Sequence, residues 1–214
     1  MYPEVEMSNS VTILRHAVVD HHLAHVRDVR STAAEFRRRM KALAGLVLAE
    51  ATRDIAQLST EVTTPLETMQ CRILAGRIAA VPILRAGLVF VEPLLDMIPE
   101  AEVRHLGMYR DEATARPIHY YNKLPGTDAP GIGLVLDPML ATGGSAVGAI
   151  RALEQWGIDD IRMLAIIAAP EGIARLQEDC PKVRIFCCAR DRELNDQKFI
   201  LPGLGDAGDR IFGT

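Results

Sequence analysis

Apolar residues recur along the chain with two different periods. From Thr32 to about Arg53 they follow one another at intervals of four, three and four, which predicts an amphipathic helix. Glu35, three residues after Thr32, gives the start of this helix the pattern of a capping box. The recurring positions are Phe36, Met40, Leu43 and Val47. We therefore predict that the first part of the chain, about residues 1–60, is a helical segment.

Beyond this part the apolar residues form continuous runs, which predict buried strands rather than amphipathic helices. The runs span residues 78–84, 103–109, 131–136, 161–169 and 183–189. Helical stretches are predicted between them at 88–98, 145–156 and 171–179. Strands that alternate with helices predict an α/β fold, with a central, mostly parallel sheet covered by helices on both faces.

Composition narrows the class of protein. The chain has 214 residues, 49% of them hydrophobic, which is enough for one globular domain, predicted to span 1–214. With 24 basic and 28 acidic residues the net charge is -4, and this balance argues against nucleic acid as a partner. The apolar runs are too short to span a membrane, and the N-terminus lacks the features of a signal peptide. We expect a cytoplasmic protein whose scattered cysteines are reduced.

A loop of small residues leaves the predicted strand 131–136 and enters the next helix. Gly143 and Gly144 would let the backbone approach phosphate oxygens, and a helix start supplies unpaired N–H groups. Thr142 and Ser145 add hydroxyl donors, and Asp137 could accept hydrogen bonds from sugar hydroxyls. No lysine follows the glycines, so this is not a nucleotide-triphosphate loop. A ribose phosphate fits both ends of the loop, but a plain glycine-rich turn remains the alternative.

Two arginines follow predicted strands and are candidates for binding a pyrophosphate. Arg85 lies just before Gly87, where a helix could begin. The alternative is a surface arginine paired with Glu92 or another carboxylate. Arg110 lies near the start of a segment, about 109–124, with the alternation of a hairpin. This segment could close over a ligand as a flexible arm, or it could be an exposed hairpin used for subunit contacts.

The end of the chain carries a glycine-rich segment, about 191–214. Its sequence Gly-Leu-Gly-Asp-Ala-Gly fits the dinucleotide pattern, but too few residues follow for a βαβ unit, so an NAD site is excluded. Glycine-rich backbone can approach a flat ligand closely with N–H and C=O groups, the pattern that the edge of a pyrimidine base requires. We predict that this segment binds a base.

These motifs together resemble the type I phosphoribosyltransferases, and among them the uracil phosphoribosyltransferases. The loop Asp-Pro-Met-Leu-Ala-Thr-Gly-Gly-Ser at 137–145 matches that family at every position, and the segment 199–214 resembles its uracil-binding terminus. Leu136 stands where other branches usually carry a further acid, and Arg-Ala-Gly at 85–87 resembles the pyrophosphate loop. Val89 and Phe90 depart from the usual Gly-Met pair. The resemblance extends through nearly the whole chain.

The resemblance implies roles for particular residues. Three are implied in catalysis: Arg110, Asp137 and Asp206. Phosphoribosyl pyrophosphate (PRPP) would be bound by Arg85, Arg110, Asp137, Pro138, Met139, Leu140, Ala141, Thr142, Gly143, Gly144, Ser145 and Asp206. Uracil would be bound by Ile200, Gly205, Asp206 and Ala207, and Lys123 is a weaker candidate for the pyrophosphate. No protein metal ligand is implied, because Mg²⁺ would be held mainly through PRPP.

The implied reaction converts uracil and PRPP to UMP and diphosphate, in pyrimidine salvage. Family members are homo-oligomers, so a homodimer or larger assembly is expected, and some are activated by GTP, for which no site can be identified. A second hypothesis is a regulatory RNA-binding protein of pyrimidine operons that senses nucleotide through the same pocket. A third is an inactive paralogue that only binds nucleotide. His21 and His25 have metal-ligand spacing on a helix, but a solvated surface is the simpler interpretation.

Overall fold

The computed structural model describes residues 11–110, 117–122 and 128–214, with the backbone alone described for 106–110 and 117–122. The helices are α1 (Ala17–Arg27), α2 (Ala33–Ala51), α3 (Val91–Met97), α4 (Gly144–Trp156), α5 (Pro170–Asp179) and α6 (Ala207–Phe212), with a 3-10 turn at Ala86–Phe90 before α3. The strands are β1 (Val11–Ile13), β2 (Gln57–Thr63), β3 (Thr68–Leu74), β4 (Ile78–Pro82), β5 (Glu102–Val103), β6 (Leu106–Arg110), β7 (Pro117–Asn122), β8 (Ile132–Leu136), β9 (Met139–Leu140), β10 (Asp160–Ala168), β11 (Arg184–Arg190), β12 (Glu193–Leu194) and β13 (Ile200–Leu201).

A parallel sheet forms the centre of the molecule. Among the described residues it has seven strands, in the order β1-β11-β10-β8-β4-β5, with the short β9 also paired to β10. Every pairing in this sheet is parallel. Strands β4 and β8 are buried along their whole length, as expected for a parallel sheet covered on both faces. The predicted α/β fold class is confirmed.

Helices cover the two faces of the sheet with separate apolar clusters. On one face α1, α2, α3 and α6 pack on the sheet, with Phe36, Leu43 and Phe90 fully buried. On the other face α4 and α5 form a second cluster around Trp156 and Ile150. Helix α2 begins at the predicted capping box: the Thr32 side chain accepts from the Glu35 amide, and the Glu35 carboxylate accepts from the Thr32 amide.

Three predictions of local structure need correction. The N-terminal part is not wholly helical, because Val11–Ile13 forms a strand at the edge of the main sheet and Gln57–Thr63 begins a hairpin. The predicted strand 103–109 is split: β5 pairs with β4 in the main sheet, whereas β6 pairs with β7 in an antiparallel pair of its own. The predicted helix 88–98 begins as the 3-10 turn and ends at Met97.

The hairpin of β2 and β3 has one apolar and one polar face. Leu58 pairs across the hairpin with Ile73, and Val62 pairs with Met69, so these side chains share a face. All four are exposed, at 39–55% of their full surface. The opposite face carries Ser59, Gln70 and Arg72. This hairpin therefore presents an apolar surface that its own chain leaves largely exposed.

None of the helices in the described part of the chain has both the length and the apolar character needed to cross a bilayer. The structure pairs none of the cysteines at 71, 180, 187 and 188 in a disulfide.

Candidate active site

Three loops meet at the carboxyl ends of the central strands, where ligands bind in open α/β sheets. The loop after β4 touches the end of β8, since the Ile83 amide donates to the Leu136 carbonyl at 2.9 Å. The loop after β8 is held by β10, whose Ile166 and Ile167 amides both donate to the Pro138 carbonyl at 3.0 Å. The C-terminal segment, residues 191–214, reaches the loop after β4 through a contact between Arg85 and Asp209 at 3.1 Å.

The phosphate loop, residues 137–145, forms an open depression of about 60 Å³ lined by Asp137 and residues 139–146. Gly143 occupies the left-handed region, with φ of +75°, and is the N-cap of α4. The first hydrogen bond of α4 runs from the Val147 amide to the Gly143 carbonyl at 2.9 Å. The amides of residues 144–146 come before this bond and have no carbonyl partner within the helix. These amides and the helix dipole form a site suited to an anion.

Two glycines allow the phosphate loop to pack against the start of α5. A Cβ on Gly143 would lie 3.1 Å from the Gly172 carbonyl oxygen and 3.0 Å from Leu176 Cδ1. A Cβ on Gly172 would lie 2.4 Å from the Ala141 carbonyl oxygen, which is too close for any side chain. Because it has no side chain, Gly172 allows the phosphate loop to pack against α5. This role was missed in the sequence analysis.

Asp137 is the carboxylate of the phosphate loop. It is half-buried, and burial raises its pKa from 3.8 to about 6, against the opposing effect of a hydrogen bond from the Met139 amide at 3.1 Å. The Asp137 amide donates to the Leu164 carbonyl at 3.2 Å, which fixes the residue at the carboxyl end of β8. A carboxylate in this setting is poorly solvated and would gain from hydrogen-bond donors on a ligand.

Arg85 lies at the start of the 3-10 turn, after a Leu84–Arg85 peptide bond that is cis. Its side chain is 58% exposed, donates to Asp209 and lies with its guanidinium carbon 5.6 Å from the centre of the Phe212 ring. Glu92, the partner considered from the sequence, pairs instead with Lys41. Gly87 allows the loop to approach β8, because a Cβ there would lie 2.4 Å from the Leu136 carbonyl oxygen.

The C-terminal segment exposes backbone around Asp206. Gly203 and Gly205 have φ of +62° and +79°, and the Asp206 side chain caps α6 by accepting from the Asp209 amide at 2.9 Å. A Cβ on Gly208 would lie 3.2 Å from Asp206 Oδ1 and 3.9 Å from Arg85 Nη2, so the segment and the loop after β4 are in close contact. Gly205 and Asp206 are exposed, whereas Ile200 and Ala207 are buried.

Part of the predicted arm lies outside the described residues. Arg110 ends β6, which pairs with β7, but its side chain is not described. Residues 111–116 and 123–127, including Lys123, lie outside the description. The roles of Arg110 and of the arm remain predictions.

The histidines of α1 do not form a metal site. The His21 and His25 rings lie 4.8 Å apart, and Arg39 Nη1 lies 3.1 Å from His21 Nε2 and 3.2 Å from His22 Nδ1. A guanidinium at these nitrogens opposes the binding of a cation. In the part of the chain that the structure describes, no group of three or more His, Cys, Asp or Glu side chains is placed to hold a metal ion.

This chain has the fold of the type I phosphoribosyltransferases, a parallel sheet with the candidate ligand-binding loops at the carboxyl ends of its strands. A solved adenine phosphoribosyltransferase from Leishmania donovani shares this fold, with a TM-score of 0.56 and 15% identity over 92% of this chain and 90% of that chain. A solved protein from Aquifex aeolicus is more similar, with a TM-score of 0.90 and 37% identity over 95% of this chain and 98% of that chain.

Relatives with assigned names show which phosphoribosyltransferase family the chain belongs to. The family model for uracil phosphoribosyltransferase matches residues 13–214. The uracil phosphoribosyltransferase of Roseiflexus castenholzii is 50% identical over 204 residues, covering 95% of this chain and 98% of that protein. The one from Thermus thermophilus is 45% identical over 205 residues, covering 95% and 99%. The chain belongs to the uracil phosphoribosyltransferase family.

Proposed function

We propose that the protein transfers the phosphoribosyl group of PRPP to N1 of uracil, giving UMP and diphosphate. The observation that carries this proposal is that the loop after β4 contacts both the end of β8, where the anion-binding loop begins, and the glycine-rich C-terminal segment. The first contact is from the Ile83 amide to the Leu136 carbonyl at 2.9 Å, and the second is between Arg85 and Asp209 at 3.1 Å. The first element suits the phosphorylated donor and the second suits a planar acceptor. Family membership supports the same reaction.

The donor would be held by the phosphate loop. Its 5-phosphate would accept hydrogen bonds from the amides at the start of α4, where Gly143 leaves the approach open. Asp137 would accept hydrogen bonds from the ribose hydroxyls, since its poorly solvated carboxylate gains from new donors. Two fixed points on one sugar would orient the anomeric carbon toward the acceptor, and such positioning supplies much of the rate acceleration.

The departing diphosphate accumulates negative charge, and the ribose becomes cationic in the transition state. Arg85 lies at the mouth of the site and would stabilise the leaving group, exchanging its exposed pair with Asp209 for diphosphate oxygens. Arg110 would act with it, on the strength of the resemblance. Mg²⁺, when bound, would neutralise further charge. The described residues offer Asp137 but no cluster of acids, a donor set that suits a Mg²⁺ bound mainly through PRPP and water.

Uracil would be recognised by main-chain groups around Ile200, Gly205 and Ala207. A pyrimidine edge presents alternating donors and acceptors, and the exposed backbone of Gly205, with φ of +79°, can approach such an edge closely. Asp206 already accepts from the Asp209 amide with one oxygen, so its other oxygen would be the one that meets substrate. We assign no residue to removal of the N1 proton.

A panel of bases tests this function. Purified protein with PRPP and Mg²⁺ should consume uracil at a value of kcat/KM at least about a hundredfold above that for cytosine, adenine or hypoxanthine, because unmatched hydrogen-bonding edges are strongly rejected. Equal rates with all four bases would contradict the proposed acceptor. The RNA-binding alternative has no support from the relatives, and salt-dependent binding of a pyrimidine-operon leader RNA would be needed to revive it.

Replacing Arg85 with alanine should raise the KM for PRPP by about 10- to 100-fold, since a hydrogen bond to a charged group contributes about 1.5–3 kcal/mol. Arg151→Ala is the matched control, because Arg151 is 60% exposed and its nearest carboxylate, on Asp179, is 4.0 Å away in α5. Initial rates at varied PRPP measure both variants. Equal KM values for the two variants would remove Arg85 from the donor site.

We also propose that the protein forms a homodimer or larger homo-oligomer through the apolar face of the β2–β3 hairpin, which its own chain leaves exposed. Ile73→Asp should shift the mass measured by analytical ultracentrifugation toward the monomer, because it buries a charge in the interface. Arg72→Asp, on the polar face of the same strand, should leave the mass unchanged. A monomeric wild type, or an equal shift by both variants, would exclude this surface.

Two further expectations come from the family resemblance. We propose a cytoplasmic location, because the reaction consumes a multiply charged donor that does not cross bilayers. Activation by GTP is a prediction without assigned residues, and the same kinetic assay with and without GTP tests it.

A further inference from the structure

A buried carboxylate holds the C-terminal segment in place. Asp191 follows β11 directly, and its side chain is 4% exposed. Its Oδ1 accepts from Arg27 Nη2 at 2.6 Å, and its Oδ2 accepts from Arg27 Nη1 at 2.8 Å. The same Oδ2 accepts from the Gly203 amide at 2.8 Å. Arg27, at the last position of α1, therefore forms a bidentate ion pair across 164 residues of sequence.

Arg27 also contacts the segment itself. Its Nη1 donates to the Gly203 carbonyl at 2.8 Å, while Asp191 accepts from the Gly203 amide. The peptide groups on both sides of Gly203 are thus held by one ion pair. Gly203 has φ of +62°, and a Cβ there would lie 2.1 Å from the Ile200 carbonyl oxygen, so only glycine fits at this turn.

Gly203 lies between Ile200 and Gly205, two of the residues assigned to the acceptor. Its position in space therefore sets where the main-chain groups of the proposed uracil site lie. The Asp191 amide donates to the Ala168 carbonyl at 2.9 Å, at the end of β10. Strand β10 also holds Pro138 of the phosphate loop. One strand thus fixes both the donor loop and the carboxylate that positions the acceptor segment.

We infer that the Arg27–Asp191 pair is a positioning device for the acceptor, one that sets the affinity for uracil without touching either substrate. This inference rests on the proposed function of the C-terminal segment. Replacing Arg27 leaves the buried Asp191 charge unpaired, and replacing Asp191 removes the charge that orients both Arg27 and the Gly203 amide, so the turn at Gly203 should shift. The donor loop keeps its own hydrogen bonds to β10, so PRPP binding should be little affected.

A second anchor helps to keep the segment folded when the pair is broken. Arg210 donates to the carbonyls of Leu204 at 2.8 Å and Asp28 at 2.7 Å, and its guanidinium carbon lies 4.2 Å from the centre of the Phe36 ring. Arg37 Nη1 donates to the Ile211 carbonyl at 2.6 Å. These contacts lie beyond Gly203, so variants of Arg27 and Asp191 should alter the turn while α6 stays attached.

The experiment compares Asp191→Asn, Arg27→Met and Arg27→Lys with the wild type. Asp191→Asn and Arg27→Met should each raise the KM for uracil by about 10- to 100-fold, with the KM for PRPP changed less than about twofold. Arg27→Lys keeps the charge but not the bidentate geometry, so it should rescue part of the loss. The double variant should be little worse than either single variant, as expected for two residues acting as one unit.

The matched control is Asp160→Asn. Asp160 also pairs with a buried arginine, Arg162, at 2.6 Å, but it lies at the start of β10, at the opposite end of the strand from the proposed site. Its loss should lower the melting temperature without changing the KM for uracil. If Asp160→Asn raises the KM for uracil as much as Asp191→Asn does, the effect reflects general destabilisation and the inference is wrong.

Hydrogen exchange provides a readout that does not depend on activity. In Asp191→Asn, amides in residues 200–206 should exchange at least about tenfold faster, while those of β8 and β10 keep the wild-type rate. Unchanged exchange in 200–206 would overturn the inference whatever the kinetics. If the wild type makes no UMP, the proposed function fails, and the exchange result still decides whether this pair positions the segment.

Discussion

Replacing Asp137 with asparagine should remove most of the transferase activity and yet make the protein more stable. The carboxylate is half-buried in the phosphate loop, and its pKa is raised to about 6 because the charged form is poorly solvated. It accepts a hydrogen bond from the Met139 amide, which the asparagine oxygen can also accept. Two lost charge-assisted bonds to ribose hydroxyls would cost about 3–6 kcal/mol, so kcat/KM for PRPP should fall by about 10²- to 10⁴-fold.

The gain in stability has a definite pH dependence. The pKa of Asp137 is higher in the folded protein than its ordinary value of 3.8. The folded state is therefore destabilised, relative to the unfolded state, at every pH at which the carboxyl group is ionised. The full penalty corresponds to about 3 kcal/mol, and partial exposure reduces it to about 2 kcal/mol. Asp137→Asn should therefore raise the free energy of unfolding above pH 7, with the difference vanishing below about pH 4.

Denaturant unfolding at pH 4 and pH 7.5, together with steady-state kinetics, measures both effects. In the wild type, kcat/KM for PRPP should also fall as the pH drops below about 6, because the protonated carboxyl is a weaker acceptor for the ribose hydroxyls than the carboxylate. Asp96→Asn, an exposed acid in α3, is a control that should change neither quantity. An Asp137→Asn variant that is less stable at pH 7.5, or fully active, would refute this account of the carboxylate.

Gly172→Ala is the second change with a large expected effect. By helix propensity alone, alanine within α5 should stabilise the protein by up to about 1 kcal/mol. The structure predicts the opposite, because the new Cβ would lie 2.4 Å from the Ala141 carbonyl oxygen and 2.8 Å from that of Leu140. Either α5 or the phosphate loop must move. We expect a loss of about 1–3 kcal/mol in stability and a rise of about 100-fold in the KM for PRPP.

Gly45→Ala is the matched control for this substitution. Gly45 lies in α2, and a Cβ there would meet nothing within 4 Å. Alanine at this position should raise the melting temperature and leave the KM for PRPP unchanged. Thermal unfolding and initial rates at varied PRPP test both variants. A stabilised Gly172→Ala protein with normal KM would show that the phosphate loop does not depend on α5.

Periodicity and local motifs predicted much of the fold. The capping box at Thr32 and the buried runs that became β4, β8, β10 and β11 are local signals, each visible within one segment. The phosphate loop was also visible, because its chemistry is carried by consecutive residues. Helix and sheet periods are properties of neighbouring residues, which explains why these elements could be predicted.

Features that depend on distant residues could not be found in this way. Strand β1 is three residues long and is defined by its pairing with β11. The hairpin of β2 and β3 is rich in polar residues, and its apolar face appears only when Leu58 is placed opposite Ile73. Gly172 looks like an ordinary helix residue until the Ala141 carbonyl is placed beside it. The Arg27–Asp191 pair likewise joins two segments that share no motif.

The most direct test of the central claim follows the atoms of the reaction. Purified protein, uracil labelled with ¹⁵N at N1, PRPP and Mg²⁺ should give UMP and diphosphate in equal amounts by ³¹P NMR, with the label bonded to the anomeric carbon. Inversion at that carbon, from the α donor to the β nucleotide, should accompany transfer by direct displacement on a positioned sugar. Release of free ribose 5-phosphate with diphosphate, and no labelled nucleotide, would contradict the account.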